Sequence, residues 1–304
     1  MRIATLNVQN MRLRGDHLDG ARDGDTPGDT GPMAEALDVL DRRLTAALIR
    51  DAEADLLVLQ EVFDAETLEH FHRRHLVPSG VHYPHRTCLP GNDGRGLDLA
   101  VLARLRPIRI RSHAGLTAAQ AGIDPALGLA PDEPVFRRDC LEIELDDLTL
   151  FACHFKAPYP DPDVAWSTRR AEALAVRHLI ETRFADPVTA RWLVLGDLND
   201  PRDAPESRHR AIAPLLPPFS ESLVDRLPDA ERWSYHQPQA RLYAAPDKLL
   251  ASPALAAANA AARPIILRQG LGFETSRYTG PRLAGTGHHR PHASDHALIY
   301  VDLD

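Results

Sequence analysis

Six groups of polar side chains stand at the ends of short apolar runs in this 304-residue sequence. They are Asn7; Gln60 with Glu61; His154 with Lys156; Asp197 with Asn199; Asp247; and Asp295 with His296. Taken alone, each group has an ordinary explanation, since a single Asp beside a strand is usually a turn or cap residue. A carboxylate beside a buried run is costly, however, unless it is paired or binds a metal. The recurrence therefore predicts one cleft that gathers these side chains.

Such a cleft would bring hard oxygen donors and imidazoles together. The oxygen donors are Glu61, Asp295, Asn7 and Asn199. Ligands of this kind suit Mg²⁺ or Mn²⁺ and do not select zinc. His154 and His296 would then serve proton transfer or bind phosphate oxygens.

The elements that must position these residues alternate between strands and helices. Eight apolar runs predict strands: 2–8, 55–62, 97–104, 140–145, 148–155, 191–198, 247–252 and 297–302. Apolar residues at three-to-four spacing predict helices over 34–51 and 166–184, the latter capped at Ser167 or Thr168, and a shorter helix over 205–216. The pattern predicts two packed sheets with outer helices, in one domain over 1–304.

Two stretches and one turn are predicted to be irregular. The runs 140–145 and 148–155 predict a hairpin with a tight turn at Asp146-Asp147. Residues 113–136 are typical of a long loop with one short helix. Residues 13–32 are rich in Gly and Asp and predict a loop that folds over the cleft, where it would affect substrate choice.

Composition predicts a cytoplasmic protein without a membrane span. Hydrophobic residues make up 44% of the chain, yet no run approaches the roughly 18 apolar residues that a span needs. The opening MRIATLNVQN lacks the long apolar stretch of a signal peptide. Cys88, Cys140 and Cys153 are too few and too scattered for a disulfide framework or a structural zinc site, so we interpret them as small apolar residues.

Six motifs resemble those of the endonuclease/exonuclease/phosphatase superfamily, which includes deoxyribonuclease I, apurinic endonucleases, neutral sphingomyelinases and inositol polyphosphate 5-phosphatases. The motifs are TLNVQN (5–10), LLVLQEV (56–62), FACHFKA (151–157), LVLGDLND (193–200), PDKLLASP (246–253) and ASDHALIYV (293–301). They occur in family order and span essentially the whole chain. The resemblance implies an α/β fold, a four-layer α/β sandwich in which two mixed β-sheets pack face to face with outer helices.

The resemblance also implies the metal site and the base. Glu61 would be the principal Mg²⁺ (or Mn²⁺) ligand, helped by Asn7 and Asp295. His296 would be the base that activates water, and Asp247 would hold its imidazole in the required tautomer. The metal would stabilise the phosphoryl oxygens as a Lewis acid.

Four further residues receive roles from the same resemblance. Asp197 would hydrogen-bond the nucleophile or protonate the leaving oxygen. Asn199 and His154 would contact the scissile phosphate and stabilise charge on it. Arg138 would have a structural or phosphate-facing role.

Two features depart from the family pattern or stand outside it. Asp98 lies in the third strand, where many relatives carry glycine or a small residue, and it would either enter the site or support it. The loop GTGHHRPHASDH (285–296) adds His288, His289 and His292. These histidines would form a solvated loop, a phosphate clamp or a site for a further transition metal.

Three functions remain open at this stage. The leading one is a metal-dependent phosphodiesterase of the nuclease type. The net charge of −8 instead favours a small phosphoester substrate, such as a phospholipid headgroup or a sugar phosphate, because proteins that grip long nucleic acid usually show a basic face. The third is a non-catalytic binding module that retains the fold. The partner is thus a phosphoester, with nucleic acid as one candidate, and no obligate protein partner is inferred.

Overall fold

The computed structural model describes residues 1–22, 31–200, 210–237 and 242–304. The strands there are β1 (Arg2–Met11), β2 (Leu13–Arg14), β3 (His17–Leu18), β4 (Leu56–Val62), β5 (His85–Leu89), β6 (Asp98–Ala103), β7 (Arg109–Ser112), β8 (Cys140–Glu144), β9 (Thr149–His154), β10 (Trp192–Asp197), β11 (Glu221–Ser222), β12 (Tyr235–Gln237), β13 (Leu242–Ala244), β14 (Asp247–Ala251), β15 (Ile265–Leu267) and β16 (Leu298–Asp302).

The helices are fewer than the strands. The α-helices are α1 (Pro32–Ala52), α2 (Ala65–Phe71), α3 (Pro162–Arg183) and α4 (Pro253–Ala258). A π-helical turn, His72–Leu76, extends α2. Short 3-10 turns occur at Val77–Ser79, Pro125–Leu127, Ala213–Leu215, Leu223–Arg226 and Asp229–Glu231.

Most strands belong to two six-stranded sheets, with orders β15-β16-β1-β4-β6-β5 and β11-β14-β10-β9-β8-β7. Each sheet is mixed, because β1 runs parallel to β4 and β9 parallel to β10 while the other paired neighbours run antiparallel. Ile3 and Val58 of the first sheet and Leu150 and Leu193 of the second share one buried cluster between the sheets. The sheets therefore pack face to face, as predicted.

Helices cover the outer face of each sheet. Leu48 of α1 lies in one buried cluster with Leu57 of β4, and Val176 of α3 lies in another with Val194 of β10. The central strands are thus buried on both faces, which explains their continuous apolar runs. The layers are helix, sheet, sheet and helix, and the predicted four-layer α/β sandwich is confirmed.

The eight predicted strands and the two long predicted helices are present, with small differences at their ends. The start of α3 was predicted too late. Its N-cap is Asp161, whose carboxylate accepts hydrogen bonds from the backbone N–H groups of Asp163 and Val164, and Pro162 occupies the first turn.

Three further predictions, one of a short helix and two of loops, agree with the structure to different degrees. The helix predicted over 205–216 falls partly outside the described residues, and its described part contains only the 3-10 turn Ala213–Leu215. The loop over 113–136 contains one short helical turn, as predicted. In the predicted loop 13–32, β2 and β3 form a hairpin, and residues 23–30 lie outside the described ranges.

The three cysteines are buried free thiols, which confirms their reading as small apolar residues. Within the described ranges no helix has the length and apolar character needed to cross a membrane. The cytoplasmic location and the single domain over 1–304 stay predictions.

Candidate active site

The two parallel strand pairs deliver the polar residues to one edge of the sandwich. In the second sheet, Asp197 pairs directly with His154 of β9 and with Asp247 of β14. In the first sheet, Asn7 of β1 is in register with Gln60 of β4. A hydrogen bond of 3.2 Å from Asn7 Nδ2 to Asp197 Oδ2 joins the two sheets at this edge. The site therefore straddles the open end of the sheet interface.

A cleft of about 550 Å³ opens at this edge. Its lining includes eight residues singled out from the sequence: Asn7, Glu61, Arg138, His154, Asp197, Asn199, Asp295 and His296. Asp247 stands behind the cleft wall, where it contacts His296. The structure thus brings together all nine predicted site residues.

Left-handed backbone conformations occur at two of these site residues and at two residues near the end of β1. The φ angles of Gln9 and Asn10 are 53°, and those of Glu61 and Asn199 are 68° and 48°. Positive φ is uncommon for residues other than glycine and concentrates at functional sites. At Glu61 the pairing of β4 also shifts register between Gln60 and Val62, as in a bulge. The Glu61 carboxylate then accepts hydrogen bonds from Asn7 Nδ2 at 3.1 Å and from Asn10 N at 2.8 Å.

Position 196 in the GDLND motif must be glycine because β10 and β9 approach each other closely there. Its φ is +127°, and a Cβ atom there would lie 2.0 Å from the carbonyl oxygen of Cys153. No side chain fits at that distance. The glycine therefore allows β10 to approach β9, which places Asp197 beside His154.

An Asp–His pair forms the buried side of the cleft. His296 Nδ1 lies 2.9 Å from Asp247 Oδ2, and His296 Nε2 lies 3.8 Å from Asp197 Oδ2. Burial alone would lower the pKa of His296, but Asp247, Asp295 and Asp197 together raise it well above its ordinary value. The neighbouring carboxylates therefore favour the protonated imidazole.

Two residues that contact the Asp247–His296 pair were not predicted from the sequence. The Ser234 hydroxyl donates to Asp247 Oδ2 at 2.5 Å, and the Tyr235 ring lies 4.7 Å from the His296 ring, centroid to centroid. Tyr235 also forms an isolated backbone bridge with His296. Neither residue belongs to a recognisable motif, so only the folded chain reveals them.

Glu61, Asn7 and Asp295 form the oxygen-rich side of the cleft. Burial and the charge of Glu61 raise the pKa of Asp295 to about 6, against the opposing charge of His296. Two carboxyl groups and an amide on one side of a cleft are a set of oxygen donors that suits a hard divalent cation. The residues fit the predicted metal site.

Another group, Asp197, Asp247 and His296, has ligand atoms within 4.8 Å of one another, a spacing that could hold a metal ion. The hydrogen bond between Asp247 and His296 already occupies two of these ligands. In the described structure Asp247 and His296 are therefore already engaged with each other.

Asp197 is anchored on both carboxylate oxygens. Oδ1 accepts from the backbone N–H of Asn199 at 2.9 Å, and Oδ2 accepts from Asn7 Nδ2 at 3.2 Å. Burial raises the pKa of Asp197 to about 6. A carboxyl group with that pKa can carry a proton near neutral pH.

His154 is buried at the cleft. Its Nε2 lies 3.7 Å from Asp197 Oδ2 and 3.9 Å from Glu61 Oε1, too far for good hydrogen bonds, and its Nδ1 has no hydrogen-bond partner among the described residues. Burial and the charge of Arg138 lower its pKa well below the ordinary value. A buried imidazole of this kind suits a ligand that completes its hydrogen bonding.

Asn199 and Arg138 converge on one backbone oxygen. Asn199 Nδ2 and Arg138 Nη1 donate to the carbonyl of Phe155 at 3.0 and 2.9 Å. Arg138 also forms an ion pair of 3.1 Å with Asp93. Arg138 therefore both supports the chain after β9 and lines the cleft.

Asp98 takes a supporting position. Its buried carboxylate accepts a hydrogen bond of 2.9 Å from the backbone N–H of Gly91 and fixes the loop between β5 and β6. Burial raises its pKa to about 6. Asp98 is absent from the cleft lining of the described residues.

The histidine-rich loop, residues 285–296, is attached to the rest of the fold through His292 and is not fully solvated. His292 is buried, and its Nε2 lies 2.9 Å from the carbonyl of Ala21. The rings of His289 and His292 lie 5.8 Å apart, and the carbonyl of His288 accepts from Glu274 N at 3.0 Å. In the described part of the chain, none of these three histidines belongs to a group with metal-binding geometry.

Two mixed sheets with a polar cleft at their shared edge define an α/β sandwich of the phosphoesterase type. The profile of the Endonuclease/Exonuclease/phosphatase family matches residues 4–296, and the chain belongs to this family. Members of the family are phosphoesterase hydrolases. Among curated protein sequences, none matches this chain.

Several solved structures share the fold. Truncated TDP2 from Caenorhabditis elegans is 14% identical with a TM-score of 0.59, covering 99% of this chain and 96% of its own. The 3′-5′ exonuclease NExo from Neisseria meningitidis is 18% identical with a TM-score of 0.56 and complete coverage of both chains. A mannosyl-6-phosphatase from Bacteroides thetaiotaomicron is 13% identical with a TM-score of 0.59, covering 100% of this chain and 99% of its own. These likenesses show the fold alone.

Proposed function

We propose that this protein is a Mg²⁺- or Mn²⁺-dependent phosphoesterase that hydrolyses phosphodiester bonds, as a nuclease does. One observation carries the proposal: an oriented Asp–His pair and an oxygen-rich ligand set open on the same cleft. Acid–base groups and a divalent cation on one cleft are what phosphoester hydrolysis requires.

His296 acts as the base in this proposal. Asp247 binds Nδ1, so the other ring nitrogen, Nε2, is directed toward the cleft and accepts a proton from water. Asp197 lies within 3.8 Å of that nitrogen and, with its raised pKa, protonates the leaving oxygen.

The phosphate itself is bound by neutral and cationic donors. His154 offers the ring nitrogen Nε2, which lies 3.7 Å from Asp197 Oδ2, while Asn199 and Arg138 line the same cleft. These groups stabilise the charge that develops on the phosphoryl oxygens.

Glu61, Asn7 and Asp295 hold the cation. When bound, it supplies Lewis-acid stabilisation of the phosphoryl oxygens and a positive charge that opposes the carboxylates around His296. A base must be neutral before it accepts a proton, so this charge would favour the active form of His296.

A substrate panel tests the proposal. Plasmid DNA, RNA, bis(p-nitrophenyl) phosphate, phosphomonoesters and sphingomyelin are each assayed with Mg²⁺, Mn²⁺ and EDTA. We expect turnover of phosphodiesters that EDTA abolishes, and a loss of about a hundredfold or more in His296→Ala but not in the control His178→Ala. A non-catalytic binding module predicts no turnover in any arm, and equal rates in His296→Ala and the wild type would remove His296 from the base role.

A small phosphoester is the second candidate substrate. The net charge of −8 favours it, because a polyanion would be repelled by most of the surface. Cleavage of nucleic acid predicts a steep loss of affinity with salt. A flat salt response with turnover of sugar phosphates or lipid headgroups would select the small substrate.

A further inference from the structure

A second recess, of about 410 Å³, adjoins the active-site cleft. The two share the lining residues Arg95, Arg138, Ala157 and Tyr159. The second recess is lined by four basic side chains and one acidic one: Arg95, Arg137, Arg138, Lys156 and Asp93. We call it the basic recess. Its charge is opposite in sign to the net charge of the chain.

One carboxylate arranges two guanidinium groups in the basic recess. Asp93 Oδ2 lies 2.9 Å from Arg95 Nη2 and 3.1 Å from Arg138 Nε. Arg138 is buried, whereas the Arg95 side chain is 65% exposed and accessible to a ligand. Because Asp93 can neutralise only one of the two, a net positive charge remains.

Lys156 adds a third cation to the wall. Its ammonium donates to the carbonyl of Ala157 at 3.0 Å and to the carbonyl of Tyr159. Burial and the charges of Arg138 and Arg95 lower its pKa, so these cations crowd one another. An anion would relieve that repulsion.

A helix holds both walls of the basic recess in place. Glu172 of α3 accepts hydrogen bonds from the backbone N–H groups of Arg137 at 3.0 Å and Lys156 at 2.8 Å. The basic segments before β8 and after β9 are therefore fixed to the same carboxylate. The recess is built into the fold and does not depend on flexible surface side chains alone.

We propose that the basic recess binds a second phosphate group of the substrate, next to the phosphate that is hydrolysed. Guanidinium groups match phosphate oxygens in geometry, and charge-assisted hydrogen bonds to them are strong. The inference rests on the proposed function and narrows its substrate class to phosphoesters with a further phosphate, whether carried by a nucleotide or by a phosphorylated sugar.

The test compares substrates that differ by one phosphate. The dinucleotide dTpdT is compared with dTpdT bearing an additional 5′- or 3′-phosphate, and glucose 1-phosphate with glucose 1,6-bisphosphate. The wild type should prefer one of the doubly phosphorylated forms by about tenfold or more in kcat/KM, through KM. Whether the preference arises with the dinucleotides or with the sugars identifies the source of the phosphate.

Matched variants assign the preference to the basic recess. Arg95→Gln should reduce the preference to within about threefold, by raising KM for the doubly phosphorylated substrate more than KM for the singly phosphorylated one, because one of the cations that bind the second phosphate is lost. Arg106→Gln makes the same charge change on an exposed turn and should retain the preference. A wild-type preference near unity, or one that Arg95→Gln retains, overturns the inference.

A binding measurement separates this inference from the proposed function. Calorimetric titration with inorganic pyrophosphate in EDTA needs no turnover. Binding that weakens about tenfold in Arg95→Gln but not in Arg106→Gln upholds the basic recess even if no substrate is hydrolysed. Equal binding by the three proteins, or none by any of them, overturns it.

Discussion

At the scale of single residues, the orientation of His296 depends on Asp247. The carboxylate holds Nδ1 at 2.9 Å and is itself held by Ser234. Asp247→Asn keeps the shape but presents an amide that can favour the wrong tautomer, so kcat should fall about a hundredfold or more. Single-turnover hydrolysis of bis(p-nitrophenyl) phosphate measures the loss, with the exposed Asp225→Asn as the control. Asp247→Asn turnover within threefold of the wild type would contradict the orienting role.

Gly196 gives a second prediction at this scale. A methyl group there would lie 2.0 Å from a backbone oxygen that cannot move without breaking the β9–β10 pairing. Gly196→Ala should therefore lower the free energy of unfolding by about 3 kcal/mol or more.

Chemical denaturation of Gly196→Ala measures this loss. Gly115→Ala is the matched control, because a Cβ there meets no atom within 4 Å. Equal stabilities of the two variants would show that β10 can separate from β9 at low cost.

At the scale of elements, α1 anchors the end of β1. Arg42 is fully buried and donates hydrogen bonds to four backbone carbonyls, those of Val8, Gln9, Asp19 and Gly20. Burial lowers its pKa to about 10, and Asp41 and Asp38 oppose that shift. The helix thus fixes the turn where Gln9 and Asn10 adopt left-handed backbones.

Replacing Arg42 should be severely destabilising. Arg42→Met leaves four backbone carbonyls without this donor and removes a buried positive charge near Asp41 and Asp38, so we expect a loss of about 3–5 kcal/mol in unfolding free energy. The neighbouring Arg43→Met, which changes an exposed residue of the same helix, should cost less than about 0.5 kcal/mol. Denaturant unfolding of both proteins is the measurement, and similar losses would contradict the anchoring role.

Helix α3 contributes a pH-dependent term to the stability through Glu172. Burial raises its pKa to about 7, against the opposing effects of two backbone N–H groups, Arg138 and Arg169. The folded state therefore keeps a proton that the unfolded chain releases near pH 4.5. This contribution to stability is complete below pH 4.5 and is lost as the pH rises through about 7.

The Glu172→Gln variant isolates that term. Between about pH 4.5 and pH 7, the wild type should lose up to about 3 kcal/mol of unfolding free energy relative to the variant. Denaturant unfolding of both proteins at a series of pH values measures the difference. A difference that stays constant over this range would show that Glu172 ionises in the folded state as it does in water.

At the scale of the whole molecule, the sequence predicted the layers, and the residues that meet at the cleft, because both depend on strong local patterns. The roles of those residues stay predictions. Continuous apolar runs mark strands buried on both faces, and several of them begin or end beside a polar residue whose burial is costly unless it is paired. Strands β5, β7 and β15 were missed, since they are short edge strands with partly exposed residues.

Features that depend on contacts between distant parts of the chain could not be predicted from the sequence. Ser234 and Tyr235 reach the site through a bridge to His296, and the left-handed φ of Glu61 arises from a register shift in β4. The basic recess likewise joins residues of separate segments. Pairing across the fold, rather than any local pattern, creates these features.

The central claim is that Glu61 holds a divalent cation on which phosphodiester hydrolysis depends. The most direct measurement is the rate of bis(p-nitrophenyl) phosphate hydrolysis against Mn²⁺ concentration, for the wild type and Glu61→Gln after EDTA treatment. We predict no wild-type turnover without metal, full recovery with Mn²⁺ or Mg²⁺, and a rate about a hundredfold or more lower in Glu61→Gln at the same Mn²⁺ concentration. Wild-type turnover that persists in EDTA, or equal metal dependence in the two proteins, would contradict the claim.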